Sequence, residues 1–287
     1  MIPLDQNKLI NFKSGLYVVS TPIGNLMDIT LNALKILKIS DLILCEDTRV
    51  SKKVLEKHHI RNKQLISYHK FNEKKSLQKV VSLLEDKKIV SIISDAGTPC
   101  ISDPGSILIN EIVKKKINIF SIPGPSSVIS AVSISGFSDK FIFYGFFPEK
   151  LKDIKKDLEI LSKLNLTIVF FISAKKFKKN SMYLEEYFFD RKLLICKELT
   201  KMYEEHFRLK ISDIKDFKVD LRGEITLVLS EKLKDESNTH LDEKDKSKIR
   251  KLMKKLSIKD IVTEIKKNKD ISKKEIYKYC LDLKNEK

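Results

Sequence analysis

Residues 89–105 read IVSIISDAGTPCISDPG, an apolar run followed at once by a turn that holds Gly97, Pro99, Pro104 and Gly105. The chain has only 8 Gly and 7 Pro among its 287 residues, so their clustering is informative. An apolar strand that ends in Gly and Pro is typical of an open α/β sheet. In such sheets ligands bind beyond the carboxyl ends of the strands, where Gly lets main-chain N–H groups approach them.

Two further turns have a similar composition and also follow an apolar run. Residues 21–25 (TPIGN) follow the run 16–19, and residues 123–127 (PGPSS) follow the run 117–122. We call residues 21–25, 94–105 and 123–127 the first, second and third turn. Because strand ends of a parallel sheet share an edge, we expect the three turns to form the walls of one pocket.

Strand and helix patterns alternate up to about residue 138, which predicts a parallel sheet with right-handed crossovers. The predicted strands are 15–20, 41–45, 64–67, 88–93 and 117–122, and the helices between them include 30–38, 73–86 and 106–116. From about residue 141 the rhythm changes. Strands are predicted at 141–145, 166–172, 192–197, 204–210 and 224–230, with helices at 152–163 and 177–188 and a short segment near 211–217.

The two strands that flank residues 201–203 are expected to pair as a hairpin, which makes the second sheet mixed. The predicted fold is therefore α/β, with an N-terminal parallel-sheet domain and a C-terminal mixed-sheet domain. The domains are predicted at 1–138 and 139–230, followed by a charged linker at 231–247 and a small basic helical appendage at 248–287. Ser257 and Ser272 are predicted helix caps in this appendage.

The net charge of +17, from 56 basic and 39 acidic residues, favours a polyanionic partner such as RNA. Only six of the basic residues are Arg, so the alternative to an RNA-binding surface is a lysine-rich surface that is merely solvated.

The four cysteines form no CxxC pair, and we expect neither disulfides nor a metal site. Without an 18-residue apolar run or a signal-peptide pattern, the protein is expected in the cytoplasm.

Ionisable residues follow the second predicted strand, and these are the first candidates for chemistry. Glu46, Asp47 and Arg49 lie at the sheet edge where the turns are expected, which favours a site. The alternative is that Asp47 or Thr48 caps the next helix. The chain lacks both GxGxxG and GxxxxGK[ST], so a ligand without phosphates, such as a nucleoside-containing cofactor, suits the turns best. Asp95 or Asp103 would accept hydrogen bonds from its ribose or an amino group, unless they only cap the turn.

The chain resembles the tetrapyrrole (corrin/porphyrin) methylase superfamily of S-adenosylmethionine enzymes from Gly15 to about Ser230. Within it, the chain looks most like the ribosomal RNA methyltransferases that modify the ribose 2′-hydroxyl of a cytidine in the decoding centre of bacterial 16S rRNA. The resemblance rests on residues 21–26, 28–30, 46–49, 69 with 72–73, 94–99 with 102–105, 123–127, 145–146 with 148, 198–201 and 223–224. So many matches in order make chance resemblance an unsatisfactory account.

The resemblance implies S-adenosylmethionine as cofactor, bound in a cleft between the two domains, with contacts at Pro22, Ala96, Gly97, Thr98, Ile101, Ser126, Ser127 and Ile172. Gly24 and Asp95 belong to the same turns and are added to this set. On the substrate side we expect Glu46, with Asp47 or Glu198 assisting removal of the hydroxyl proton. The expected RNA contacts are Arg49, Lys175, Lys176 and Lys201, and the family resemblance also implies a homodimer.

One segment departs from the subgroup's pattern. Residues 171–176 read FISAKK where the subgroup usually has YESPHR, so its Glu and His have no counterpart here. Two alternatives to an rRNA methyltransferase follow from the sequence. One is a methyltransferase of the same fold that acts on a tetrapyrrole or another small molecule, and the other is an RNA-binding ribosome-assembly protein that has lost turnover.

Overall fold

The structure is a computed structural model that describes residues 12–233, 241–266 and 271–285. The chain divides into two compact units, Met1–Glu231 and Lys232–Lys287. None of the described helices has the length and apolar character that a membrane span requires.

The first sheet of the larger unit has five parallel strands in the order β3-β2-β4-β1-β5. Its strands are β1 (Gly15–Val19), β2 (Leu42–Cys45), β3 (Leu65–Ser67), β4 (Ile89–Ile93) and β5 (Ile119–Ile122), and its helices are α1 (Leu31–Ile39), α2 (Thr48–Lys57), α3 (Glu73–Glu85), α4 (Ser106–Lys114) and α5 (Ser127–Ser133). The predicted parallel sheet is confirmed, with every predicted strand present to within two residues.

Helices cover both faces of this sheet because its strands are apolar on both sides. Leu44 and Val90 pack with α3 and α4 on one face, whereas Ile43 and Cys45 pack with α1 and α2 on the other. All four residues of β2 are buried. Strands that bury both faces carry continuous apolar runs, which is why these strands could be predicted from the sequence.

The second sheet is mixed, as predicted, in the order β6-β7-β10-β8-β9. Its strands are β6 (Phe141–Phe146), β7 (Thr167–Ser173), β8 (Lys192–Lys197), β9 (Glu205–Lys210) and β10 (Glu224–Leu229), with α6 (Leu151–Lys163), α7 (Ala174–Phe188) and a 3₁₀ helix at Ile211–Asp216. Strands β6 and β7 are parallel and the other pairs are antiparallel, including the predicted hairpin of β8 and β9.

The two faces of the second sheet have different neighbours. Helices α6 and α7 cover one face. On the other face, Val169, Leu194 and Val228 pack against Ile23 of the first turn and Val128 of α5. The first sheet's ligand-side turns are therefore held directly against the second sheet, which places a cleft between the two sheets.

The smaller unit consists of α8 (Glu243–Leu252), α9 (Ile258–Lys266) and α10 (Lys273–Asn285), which bury a core of their own. Helix α8 begins at Glu243 rather than at the predicted residue 248. The reason is a capping box in which the Asp242 carboxylate accepts from the N–H of Asp245 while the Asp245 carboxylate accepts from the N–H of Asp242. The predicted caps are confirmed: the N–H of Asp260 donates to Ser257 Oγ, and the N–H of Glu275 donates to Ser272 Oγ.

Part of the predicted linker 231–247 lies outside the described residues, and the domain boundary at 138/139 stays a prediction. The change from the first sheet to the second falls between α5 and β6, in residues 134–140.

Candidate active site

The first and second turns are joined by main-chain hydrogen bonds. The N–H of Thr21 donates to the carbonyl of Gly97 at 2.9 Å, and the N–H of Gly97 donates back to the carbonyl of Thr21 at 3.1 Å. The Thr21 hydroxyl also donates to the carbonyl of Ser94 at 3.0 Å. Gly97 has φ +81°, a conformation that glycine adopts without strain. This exchange fixes the two turns side by side.

The third turn is held to the second turn through the hydroxyl group of Thr98. The Thr98 hydroxyl donates to the carbonyl of Pro125 and lies 2.9 Å from Ser20 Oγ. Gly124 lies so close to Ser20, the residue after β1, that a Cβ on Gly124 would be 2.9 Å from the Cβ of Ser20, which leaves room only for glycine. As predicted, all three turns contribute to one cleft, the second and third with several residues each and the first with Ile23.

A cleft of about 930 Å³ opens above the three turns. Main chain and small side chains from the second and third turns form one wall, and the second sheet supplies the other. That second wall is apolar, with Phe143 and Phe171 packed edge to face at 4.8 Å between ring centroids. A cleft of this size, mostly apolar with a few polar groups, is typical of a small-molecule site.

One end of the cleft is acidic. Glu46, Asp95 and Asp103 all line it, together with Lys70. Burial raises the pKa of Asp103 to about 6, and the nearby charge of Glu46 adds to the effect. Burial also raises the pKa values of Glu46 and Asp95. The nearby charge of Asp95 adds to the effect on the pKa of Glu46, and the charge of Asp47 adds to the effect on the pKa of Asp95. Carboxyl groups with raised pKa values in a cleft are typical of functional sites.

Most residues predicted to bind the cofactor line this cleft. They are Asp95, Ala96, Gly97, Thr98, Ile101, Ser126, Ser127 and Ile172. Pro22 and Gly24 are not part of the lining. Gly24 lies instead against residues 199–201, where a Cβ would be 2.5 Å from Lys201 Cγ. Its small size therefore lets the first turn pack against the second sheet.

Asp47 and Arg49 lie beside the cleft rather than in its lining. The Asp47 carboxylate caps α2 by accepting from the N–H of Arg49 at 2.8 Å, which confirms the capping alternative. The Arg49 side chain also hydrogen-bonds this carboxylate, which lowers the pKa of Asp47 to about 2. The N–H of Asp47 donates to the Asp95 carboxylate at 3.1 Å, so the loop that carries these residues is tied to the second turn.

Glu198 is occupied by internal hydrogen bonds. Its carboxylate accepts from the N–H of Glu224 at 2.9 Å and from the Lys201 ammonium at 3.1 Å. Burial raises the pKa of Glu198, but these donors outweigh burial and the pKa lies below its usual value. Lys201 itself lines the cleft and also pairs with Glu224 at 2.8 Å. In this geometry Glu198 orients Lys201.

Lys175 and Lys176 occupy different environments on the first turn of α7. Lys176 pairs with Glu149. Lys175 lines a second depression next to the cleft. The structure therefore separates these two expected RNA contacts.

Several residues of the cleft were not predicted as site residues from the sequence. Lys70 and Glu224 are examples, and the aromatic wall of Phe143, Phe146 and Phe171 is another. Asp103 was a candidate hydrogen-bond acceptor only. The aromatic residues carry no local signal, because alternating apolar residues in β6 and β7 look the same whether they face a core or a cleft.

The fold and the cleft define a class: two-sheet α/β proteins in which Gly- and Pro-rich strand ends line a cleft and no phosphate-binding GxxxxGK[ST] loop is present in the sequence. The family model for tetrapyrrole (corrin/porphyrin) methylases matches residues 15–215. The chain belongs to this family and, within it, to the group of proteins called ribosomal RNA small subunit methyltransferase I.

Three relatives of that name illustrate the likeness. The chain is 46% identical over 220 residues to the protein of Thermotoga maritima, which covers 76% of this chain and 98% of the relative. It is 43% identical over 221 residues to that of Rickettsia prowazekii, covering 76% and 79%. It is 36% identical over 233 residues to that of Bacillus subtilis, covering 80% and 78%.

Solved structures share the fold at low sequence identity. A cobalt precorrin-4 methyltransferase superposes with a TM-score of 0.56 at 20% identity, covering 75% of this chain and 94% of that one. The uroporphyrin-III C-methyltransferase of Thermus thermophilus, crystallised with S-adenosylhomocysteine, superposes with a TM-score of 0.55 at 14% identity, covering 75% and 97%.

S-adenosylmethionine is the cofactor of methylases in this family, and the cleft fits it. Main-chain groups and hydroxyls of the second and third turns match the donors and acceptors of adenosine. The acidic end matches the positive charge of the sulfonium and amino groups.

Proposed function

We propose that the protein methylates the 2′-hydroxyl of a cytidine ribose in the decoding region of 16S ribosomal RNA, with S-adenosylmethionine as donor. The observation that carries the proposal is the similarity of three-quarters of the chain to proteins called ribosomal RNA small subunit methyltransferase I. The cleft supports it by offering a cofactor site beside ionisable groups. The partner would be 16S rRNA or the small ribosomal subunit, in the cytoplasm.

The proposed cofactor contacts are the cleft-lining residues of the second and third turns, together with Ile172. Gly24 would act indirectly, by letting the first turn pack against Lys201, and Pro22 follows Thr21, which holds this turn to Gly97. When bound, S-adenosylmethionine supplies an electrophilic methyl group. The chain's own task is then to orient the attacking hydroxyl and to take up its proton.

We assign proton uptake to the acidic end of the cleft, with Asp103 first and Glu46 beside it. Asp103 is half-buried and lines the cleft, and with a pKa of about 6 it is ionised at neutral pH. Such a carboxylate is a stronger base than an ordinary aspartate and is matched to this task. Asp47, with a pKa of about 2, is a much weaker base. The expected roles of Asp47 and Glu198 remain predictions that this geometry does not favour.

The RNA-contacting set would be Arg49, Lys201 and Lys175, with Lys176 at the margin. The Arg49 side chain is 87% exposed beside the acidic end, so its second face can meet a phosphate while the first holds Asp47. Lys201 reaches the cleft from the opposite sheet. A nucleotide between them would have cations on both sides.

The test is methylation of small ribosomal subunits with labelled S-adenosylmethionine, followed by nucleoside mass spectrometry. We expect 2′-O-methylcytidine, and we expect cells without the gene to lack it at one position of 16S rRNA. Methyl transfer to a precorrin-type substrate but not to RNA would replace the proposal with the small-molecule alternative. Saturable cofactor binding without transfer to either substrate would favour a ribosome-assembly protein.

Two accompanying proposals concern organisation. We propose a homodimer, which light scattering on the full chain tests by a mass of about twice 33.2 kDa. We also propose that residues 1–138 and 139–230 act as separate domains on either side of the cleft. Limited proteolysis should then cut first in residues 134–140, between α5 and β6.

A further inference from the structure

A second depression of about 830 Å³ lies next to the cleft, and we call it the α7 groove. The start of α7 forms one side, and residues 214–223, which lead from the 3₁₀ helix to β10, form the other. The sequence gives no hint of it, because its two sides are more than 30 residues apart in the chain.

The α7 groove carries a strong excess of positive charge. Its lining includes four cations, Lys175, Lys178, Lys218 and Arg222, but only one acid, Asp220. Arg222 pairs with Asp220 at 3.2 Å, and both side chains are largely exposed. In the part of the chain that the structure describes, no carboxylate lies within ion-pairing distance of the three lysines. The positive charge of these lysines is therefore not compensated within the groove.

The groove is also apolar at its base. Phe177 is buried, and its ring meets that of Phe217 edge to face at 6.2 Å between centroids. Leu221 and Val219 extend this apolar surface. A cationic rim above an aromatic base suits a nucleic-acid strand, since phosphates meet the cations while sugars and bases contact the apolar surface.

The groove begins where the cleft ends. Ser173 lines both depressions, and it pairs with Glu224 across β7 and β10. Glu224 lines the cleft, whereas the preceding residue, Gly223, lines the groove. A nucleic-acid strand with one nucleotide in the cleft would thus leave it directly into the groove.

We propose that the α7 groove binds the RNA backbone that flanks the target nucleotide, with phosphates on Lys175, Lys178 and Lys218. This inference rests on the proposed function, because it assumes RNA as the substrate. It gives Lys175 a specific role in this groove, whereas the sequence suggested only that this lysine contacts RNA. It also offers a reason for the lysines at the start of α7.

The experiment compares full-length wild type with the double variant Lys175→Ala, Lys218→Ala. The matched control is Lys155→Ala, Lys156→Ala, which removes two exposed lysines of α6 that line neither depression. Affinity for transcribed 16S rRNA is measured by filter binding at several salt concentrations. Methylation of small subunits and calorimetric binding of S-adenosylmethionine are measured in parallel.

We expect the groove variant to bind RNA about tenfold more weakly, with a salt dependence that is shallower by about one to two units of slope. The KM for small subunits should rise while cofactor affinity and kcat stay unchanged, and the α6 control should match wild type. A second variant, Lys178→Ala with Arg222→Ala, should reproduce the effect, which separates it from misfolding of one variant.

Equal affinity and equal salt slope in both groove variants and wild type would overturn the groove assignment, even if wild type methylates the subunit. Conversely, a wild type that binds RNA but transfers no methyl group would overturn the proposed function, and the salt slopes would still decide the role of the groove.

Discussion

Asp103 has the most direct consequence for the pH dependence of catalysis. Burial and the charge of Glu46 raise its pKa to about 6. If it accepts the hydroxyl proton, the reaction needs its ionised form, whose fraction grows tenfold per pH unit below about pH 6 and then saturates. We predict that kcat/KM for small subunits rises up to about pH 6 and is flat above it.

The variant Asp103→Asn should lose this rise of kcat/KM below pH 6, the acid limb of the profile. It should also react about 10² to 10⁴ times more slowly. Cofactor binding, measured by calorimetry, checks that the cleft is intact. Asp47→Asn is the control, because a group with a pKa of about 2 cannot produce a limb near pH 6. A limb near pH 6 that survives in Asp103→Asn would transfer the role to Glu46.

The same raised pKa predicts a cost in stability. A carboxyl group whose pKa is higher in the folded state than in the unfolded state favours folding in its protonated form. Its contribution is therefore present below pH 4 and is lost as the pH rises through about 6. Asp103→Asn should thus stabilise the protein at pH 8 by about 1 to 2 kcal/mol, since solvent screens part of the effect at this half-buried group.

Chemical denaturation at pH 8 and pH 4 measures this difference. The stabilisation should shrink at pH 4, where the wild-type carboxyl group is protonated. Equal effects at both pH values would mean that the substitution acts through packing rather than charge, and would contradict the raised pKa. Gains in stability at the expense of activity are common at functional sites.

At the scale of single residues the sequence predicted the region of the acids but not their use. Residues 46–49 were expected at the sheet edge, and Glu46 does reach the cleft. Its neighbour Asp47 instead caps α2, because helix-capping geometry turns its carboxylate back towards Arg49. Local sequence offers both outcomes, and only the position of α2 decides between them.

At the scale of elements, α3 controls the second turn through one buried carboxylate. Glu73, the first residue of α3, is only 6% exposed and accepts from the N–H of Gly105 at 2.6 Å. Gly105 ends the second turn and precedes α4. Glu73 therefore anchors the far end of the turn whose other residues line the cleft.

We predict that Glu73→Ala destabilises the protein by about 2 to 4 kcal/mol, because it leaves the buried N–H of Gly105 without an acceptor. It should also weaken S-adenosylmethionine binding, since the second turn loses its anchor. Glu73→Gln retains an amide oxygen as acceptor and should cost about 1 kcal/mol or less. Urea unfolding and calorimetry compare the two variants, and equal stability of both would refute the anchoring role.

Elements were predicted well where packing follows local pattern and poorly where it depends on distant contacts. The strands were legible because both faces of β2 and β4 are buried. The α7 groove was invisible, since residues 173–181 and 214–223 become neighbours only through the order β7-β10-β8-β9. The earlier start of α8 was missed because an aspartate pair within a charged stretch resembles solvated linker.

At the scale of the molecule, positive charge is concentrated in the smaller unit. Residues 232–287 hold 18 basic and 11 acidic residues, a net charge of +7 in a chain with +17 overall. They form one fifth of the chain but carry about two fifths of its net charge. Their helices bury Ile249, Ile261, Ile265 and Ile276 in a separate core, so they leave the described core of the larger unit complete.

This distribution of charge predicts that truncation separates cofactor binding from RNA binding. A chain that ends at Glu231 should fold and bind S-adenosylmethionine like wild type, because every cleft-lining residue lies before that point. Its affinity for 16S rRNA should fall at least tenfold, with a shallower salt dependence, since cations that neutralise phosphates set both quantities. Filter binding at several salt concentrations and calorimetry measure the two effects.

The full-length triple variant Lys251→Gln, Lys254→Gln, Lys255→Gln serves as a control for the loss of the unit itself. These lysines are exposed, and their replacement removes charge while leaving the buried core in place. If the appendage contacts RNA, this variant should show a smaller loss of the same kind, because part of the charge remains. If truncation and triple variant both bind RNA as wild type does, the appendage is only a packed helical unit, and RNA binding belongs to the cleft and the α7 groove.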